Sequence, residues 1–575
     1  MVGTIALLAP GYALCGLLPA AIREVPLARW AAAPTLGFAA VTSLLITISW
    51  IGIPLGGLSV RLVLGAVVLA GVATWRGHDG DRAPAQRADL LEGLGLLAIV
   101  GGGLALALTV VGERPVPGND WAKYLLYADE IRRHGALLID NPFWMLGVPF
   151  REDPAVPAAY GGILLMSRAA TGALAQGILV FAVLQILAVY AYARAFWGRG
   201  AGLAAAALIA AVPASQDILG WHGLANLAAL ALLGLLLAYL GTLARERLDT
   251  AAIVGMAITF VSLVATHRLT AVIAGAVLAS TVAVAWLTGQ RGALVDGAKA
   301  VGLALLLGIG VIADVWARQK TFGGTLPASS YDNTKVNLEL AVRDLSWVLA
   351  IASLAGVVAL AVTRRLERAL WPAVALVVVC CALAYAYVIH LPLYYARMVF
   401  YLPLAMAPIA AVAAWRLLRP TAVFAVLAAA GVAAITVGSV SQAREVERFY
   451  SFASPASLAG LDALDARLKP GEIVVTDRCW SFLSTWLLRT RTLPALEPQD
   501  IQPKAELRYA RQAHAILRGT PEGRRLARRY GVRYAVVDPT CPDANGRTAP
   551  PPAGGRAAFA SSRLAVVRLP WVADD

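Results

Sequence analysis

The chain has 575 residues, 59% of them hydrophobic and only 15% charged, with a mean hydropathy of +0.69. Those proportions exclude a soluble globular enzyme and define a polytopic α-helical membrane protein. The formal charge of +14 comes from arginines gathered at helix ends, and it implies no nucleic-acid partner.

Apolar runs of about 17 residues or more, enough to cross a hydrocarbon layer roughly 30 Å thick, recur through the first 440 positions. About fourteen spans are expected, near 3–22, 31–53, 58–75, 92–111, 174–194, 200–214, 222–243, 250–266, 269–288, 298–315, 346–363, 370–390, 393–415 and 420–440. The first lacks a basic n-region and a cleavage site, so it reads as a retained span. A weakly apolar piece from Val156 to Gly172 is expected to lie in the interface.

Arg23/Arg29, Arg76/Arg82/Arg87, Arg194/Arg199, Arg245/Arg247, Arg291/Lys299, Arg364/Arg365/Arg368 and Arg416/Arg419 fall in alternate connections. By the positive-inside rule these connections face the cytosol. Both termini, the large loops 112–157 and 316–345, and everything after about Ser441 then lie outside. Residues 1–443 form the transmembrane domain and 444–575 an extracytoplasmic domain.

The loop 112–157 holds six prolines and most of the early polar residues. Pro115, Pro117 and Gly118 form a turn signal before Asn119 and Asp120, both able to cap a helix. Leu125, Ala128 and Ile131 recur at helical spacing from Trp121 to His134, with Lys123, Asp129, Glu130, Arg132 and Arg133 between them. Gly135 should end that helix, and Asp140-Asn141-Pro142 marks another turn.

In the tail, Ser454-Pro455 opens a helix to Leu468. Strands are expected at Glu472–Thr476, Val532–Val537 and Leu564–Leu569, and helices near Lys504–Arg518 and Pro521–Tyr530. Alternation of strand and helix defines a small α/β domain. Cys15, Cys380 and Cys381 lie in apolar runs and read as buried small residues. Cys479 and Cys541 each follow a Val-Val run ending in an aspartate (Asp477, Asp538). If those strands are neighbours, both thiols emerge at one sheet edge and form a disulfide.

The topology gathers chemistry on the outer face. Asp120, Lys123 and Tyr124 come from the first loop; Asp217, Trp221 and His222 from one short connection; His267 and Arg268 from another. Asp314, Arg318 and Lys320 open the second loop, and His390, Tyr394, Tyr395 and Arg397 cluster at a later span. Arginine near a membrane boundary suits phosphate, and a carboxylate opposite suits proton transfer. The plain alternatives are a helix cap for Asp120, a snorkelling side chain for Arg397, turn residues for His222 and His267, and a solvated helix face for Asp129 and Glu130. No metal-ligand spacing, Gly-rich phosphate loop or Gly-x-Ser-x-Gly elbow occurs, and no cofactor is expected. Outside the cytosol there is no nucleotide sugar, so substrates should arrive on lipid carriers.

The pattern Asn119-Asp120-Trp121…Tyr124…Ala128-Asp129-Glu130-Ile131…Gly135…Asp140-Asn141-Pro142 resembles the first large external loop of the GT-C superfamily of membrane glycosyltransferases. Arg397-Met398-Val399-Phe400-Tyr401-Leu402-Pro403 is similar to its late Arg-plus-aromatic segment. The resemblance implies a polyprenyl phosphate sugar donor, a glycan, lipid or protein acceptor in the cell envelope, and inversion at the anomeric carbon. It also implies Asp120 as catalytic base, with Lys123, Tyr124, His222, His267, Arg268, His390, Tyr395 and Arg397 as substrate-binding candidates. The acidic loop follows the fourth span rather than the first. Asp120 has Asn119 beside it where members carry paired acids, so the residues do not call for a divalent metal. No Trp-Trp-Asp motif occurs in the tail, which argues against an oligosaccharyltransferase. Two other readings stay open: a transporter or flippase of lipid-linked saccharides, which would need polar midplane residues and repeated halves, and a non-catalytic envelope assembly protein.

Overall fold

The computed structural model describes residues 2–75, 87–112, 116–118, 120–145, 148, 152–167, 171–320, 334–391, 393–418, 421–451, 453–488, 490–496, 504–541 and 555–572. Asn119, Arg76, Arg82, Arg419, much of the 316–345 loop and the Pro550-Pro551-Pro552 run lie outside them.

Eight helices are long and apolar enough to cross a membrane, or up to ten if each of two bent pairs is one span. The pairs are Arg199–Ala211 with Pro213–Trp221, bent by 47°, and Gly292–Leu307 with Ile309–Trp316, bent by 66°. Pro213 has no N–H to continue a helix and breaks the first pair at Val212. The other expected spans coincide with shorter apolar helices, Gly3–Leu17, Thr250–Thr266, Trp347–Val362 and Arg368–Ala384. At the centre stands Leu224–Arg245, apolar on every face and enclosed by other helices throughout.

Charged side chains at one end of the bundle pair with one another. Arg23 meets Asp249 at 2.8 Å, Arg199 meets Glu92 at 3.0 Å, and Arg247 meets Asp296 at 2.6 Å. Arg194 also pairs with Glu92, and Arg416 with Glu367. Every one of these contacts joins loops or helix ends that the arginine pattern assigns to a single side.

The first large loop contains the helix Asp120–His134, ended by Gly135 at φ +65°. The piece expected in the interface is instead a largely buried helix, Ala155–Met166. Its small residues let it press on the loop helix, and a Cβ on Gly161 would stand 2.7 Å from Ile131. Cys15 and Cys380 are buried as expected, whereas Cys381 is exposed on its apolar helix and is not a core residue.

The last long helix, Thr421–Tyr450, leads to the C-terminal α/β unit. Ser454 caps the helix Pro455–Asp465 by accepting from Ser457 N at 3.1 Å. The five strands are β1 (Val474–Asp477), β2 (Thr492–Ala495), β3 (Tyr534–Val537), β4 (Arg556–Ala560) and β5 (Ala565–Arg568), in the order β2-β1-β3-β5-β4. β1 runs parallel to both β2 and β3, and β5 is antiparallel. Sequence patterning missed β2, β4 and the helix Ser481–Leu487. β2 is four residues including Pro494, tolerated on a sheet edge, and β4 is mostly exposed, so neither shows an apolar alternation.

Because β1 and β3 are neighbours, Cys479 and Cys541 emerge side by side and are bonded, with Cα atoms 6.1 Å apart. Between the same strand ends, Asp477 accepts from Trp480 N and Asp538 N, and Asp538 meets Arg563 at 3.1 Å. Strand order reverses at this crevice, the usual ligand site of open α/β sheets. Here a disulfide and a satisfied hydrogen-bond network occupy it.

Candidate functional site

The start of the loop helix is pinned from two sides. Gly118, at φ +81°, donates to Tyr450 O at 3.1 Å, and a Cβ there would lie 2.7 Å from Gly220 O. Glycine is required for this approach. Trp121 closes the turn by donating from Nε1 to Gly118 O at 3.0 Å. Asp120 is thereby fixed in the first helical turn. Its side chain is about a third exposed.

Lys123, one turn on, stands 3.8 Å from Asp120 and 3.0 Å from Glu152. Burial disfavours the Lys123 ammonium, but the Asp120 and Glu152 carboxylates outweigh it and raise its pKa. Glu152 itself is raised, by burial and by the carboxylates of Asp120 and Asp153, against the pull of Lys123. Asp153 binds Arg268 at 2.9 Å and accepts from its backbone N–H. Tyr124 is buried beside this group, with the Lys123 ammonium 5.1 Å from its ring centroid.

Arg268 begins the helix Arg268–Leu287, capped by His267, whose Nδ1 accepts from Thr270 N at 3.3 Å. The Tyr401 hydroxyl lies 2.8 Å from Thr270 Oγ1 and 3.2 Å from His267 Nδ1. His267 is therefore held to the Arg397–Pro403 segment. Burial and the positive charges of Arg397, Arg268 and Lys123 push its pKa down to about 3. Three cations from distant parts of the chain thus bear on one neutral imidazole. Two of them have carboxylate partners. Arg397 has none among the described residues; its guanidinium stacks over Tyr394 at 4.4 Å and Trp221 at 5.7 Å.

The structure brings together Asp120, Lys123, Tyr124, His267, Arg268 and Arg397. His222 is elsewhere in character: fully buried, at φ 66°, it ends the helix Pro213–Trp221. Burial takes its pKa down to about 3, against a hydrogen bond with the Ala175 backbone. His390 is exposed at φ 55°. Tyr395 donates to Leu391 O at 2.6 Å and meets Tyr387 edge to face, contacts within its own segment. Sequence reasoning missed Glu152 and Asp153. The local signal for them is a pair of adjacent acids just before Pro154 in the same loop. Among the described residues no three His, Cys, Asp or Glu side chains converge as a metal site.

Such an arrangement can hold an anion between cations while leaving one accessible carboxylate beside it. The fold that carries it is a bundle of membrane-length helices with a loop helix and a C-terminal α/β unit packed on that helix. Among solved structures, the Archaeoglobus fulgidus oligosaccharyltransferase AglB, in complex with an inhibitory peptide and a dolichol-phosphate, matches with TM-score 0.51 at 16% identity, over 78% of this chain and 70% of that one. Apo ArnT from Cupriavidus metallidurans matches with TM-score 0.50 at 14% identity, over 83% and 98%. The arabinofuranosyltransferase AftD from Mycobacteria matches with TM-score 0.52 at 16% identity, over 86% of this chain and 42% of that one. No family model and no curated protein matches the sequence.

Proposed function

We propose that this chain is a glycosyltransferase that moves a sugar from a polyprenyl phosphate donor to an acceptor in the cell envelope, outside the cytosol. The observation that carries the reading is that Lys123, Arg268 and Arg397 all bear on His267, with Lys123 3.8 Å from Asp120 and Arg397 without a carboxylate partner among the described residues. A planar guanidinium in such a partly desolvated place matches a phosphate oxygen pair. The dolichol-phosphate bound to AglB, on the same fold, supports a lipid phosphate as that anion.

In the reaction, Asp120 takes the proton from an acceptor hydroxyl as its oxygen attacks the anomeric carbon. The new bond to the acceptor forms as the bond to the phosphate oxygen breaks, with inversion. The polyprenyl phosphate leaves carrying the negative charge, which Arg397 meets directly and Arg268 and Lys123 meet through the local field. Glu152 and Asp153 hold Lys123 and Arg268 in position.

A topology with this site outside the cytosol draws support from three observations. The end-of-bundle ion pairs join only loops assigned to the cytosolic side. The loop helix packs directly on the C-terminal unit through Trp121 and Trp486, so both lie on one side. The Cys479–Cys541 disulfide fits an oxidising compartment.

The test is a transfer assay on the purified chain with a panel of polyprenyl phosphate sugars and envelope acceptors. At least one donor should yield product, and Asp120→Asn should lower the rate by about 10²-fold or more, the scale of general-base catalysis. The reading fails if the panel yields no product, or if Asp120→Asn transfers sugar at the native rate.

A further inference from the structure

The far half of the loop helix, away from Asp120, opens onto a cavity of about 530 Å³ between that helix and the C-terminal unit. Its volume is that of a small-molecule site. One wall carries Asp129, Glu130, Arg133 and His134; the facing wall carries Trp486 and Arg491. Thr485 and Thr490 also line it, with their hydroxyls turned to Ser481 O and Glu472 O.

The charges of the loop-helix wall are matched within it. Glu130 binds Arg133 at 2.7 Å and His134 at 3.1 Å, and Asp129 binds Arg132 at 2.8 Å. An ionic ligand would have to displace these partners on that wall, and the other two charged lining residues, Asp140 and Arg491, are of opposite sign and give the cavity no net charge between them. A neutral ligand rich in hydroxyls would not, since each carboxylate and guanidinium keeps unused lone pairs or N–H groups. Trp486 adds an aromatic surface that can cover the apolar face of a sugar ring. An extended peptide is less well served: β2, the sheet edge beside the cavity, already accepts at Thr492 O from Trp144 N at 2.8 Å.

The cavity lies next to the reaction site, one packed ring contact away. Trp486 meets Trp121 edge to face, with centroids 5.5 Å apart, and Trp121 follows Asp120 in the same helix. Asp120 and Glu130 are ten helical residues apart, about 15 Å along the axis. That is the reach of a short oligosaccharide rather than a single sugar.

We propose that this cavity is an acceptor subsite for an uncharged, polyhydroxylated oligosaccharide, whose far units rest on Trp486 and Glu130 while its terminal hydroxyl reaches Asp120. The inference rests on the glycosyltransferase reading given above. Binding without turnover separates the two.

Saturation-transfer NMR on the full chain in detergent, with a panel of neutral tri- to pentasaccharides of hexopyranoses and pentofuranoses, is the experiment. At least one member should bind, and Asp120→Asn, which loses one contact of many, should still bind it. Arg491→Ala should weaken it several-fold, and Leu138→Trp, which fills the cavity from a half-exposed position without removing a core contact, should weaken it more than 10-fold. Absence of binding across the panel overturns the proposal, as does binding indifferent to Leu138→Trp. A peptide competing at the cavity more strongly than any saccharide also overturns it. If binding fails while Asp120-dependent transfer stands, this inference alone is lost; if binding stands with no transfer from any donor, the reaction assignment is the one lost.

Discussion

The Lys123 ammonium leans from Asp120 toward Glu152, at 3.8 Å from the first carboxylate and 3.0 Å from the second. Asp120 is consequently the less committed of the two acids. It stands at the helix start with one cation nearby, and its oxygens are left to accept a proton. Glu152, enclosed and closer to the lysine, reads as the group that positions it.

Removing Lys123 alone should therefore damage folding as well as reaction. Lys123→Met leaves Glu152 enclosed without its cation, a loss on the order of 3 kcal/mol for a buried pair broken on one side. The double change Lys123→Met with Glu152→Gln should recover most of the thermal stability and none of the transfer. Recovery of both would show that the lysine plays no part at the donor.

Arg397→Ala should raise the KM for the lipid-linked donor more than it lowers kcat, because a contact to phosphate is present before and during the reaction. Arg397→Lys should recover only part of the loss, since an ammonium lacks the paired donors and the stacking face that Tyr394 and Trp221 hold. Steady-state kinetics at varied donor decide this. Full rescue by lysine would point to simple charge in place of planar recognition.

Asp477 gives the C-terminal unit a pH dependence. Enclosure by protein pushes its carboxyl up to about 7, against the backbone N–H groups that favour the ionised form. Its unfolded value is near 3.9, so the folded state binds more protons between about pH 4 and 7 and its stability falls as pH rises through that window. Protease resistance of the unit should decline from pH 5 to pH 8 in the native chain and decline less in Asp477→Asn. Equal slopes would remove the assignment.

The disulfide closes a loop with sequence separation 62, and chain-entropy estimates give roughly 4 kcal/mol for a loop of that size. Cys479→Ser should make the C-terminal unit sensitive to protease at growth temperature while leaving the helical bundle folded. Unchanged digestion patterns with and without reductant would contradict it.

Topology is tested by single cysteines at exposed positions. Arg133→Cys on the loop helix and Arg525→Cys on the C-terminal unit should both react with an impermeant thiol reagent on intact cells, and Thr363→Cys should not. Reaction of only one of the first two would break the scheme.

What the sequence disclosed follows from what is encoded locally. Apolar runs, the turn before Asp120 and the cap at Ser454 each act within a few residues, and all are helices or helix starts in the structure. The disulfide was legible because two strands ended alike. Glu152 and Asp153 were not, since their meaning depends on Lys123 and Arg268 arriving from other elements. Nor was the tie between His267, Thr270 and Tyr401, which joins two helices far apart in the chain. His222 illustrates the reverse error: a histidine at a polar-looking turn was enclosed by its neighbours and kept neutral.

The helix Thr421–Tyr450 has a mechanical consequence. At 30 residues it is about 45 Å long, some 15 Å more than the hydrocarbon layer requires. It leaves the bilayer as an unbroken mast whose tip, Tyr450, is tied to Gly118. The C-terminal unit is thus mounted at a set height and angle over Asp120, with no hinge in this helix. Adding one residue to the mast would turn its load by about 100° and raise it by about 1.5 Å. The jaw formed with the loop helix would lose its alignment although every side chain in it remained.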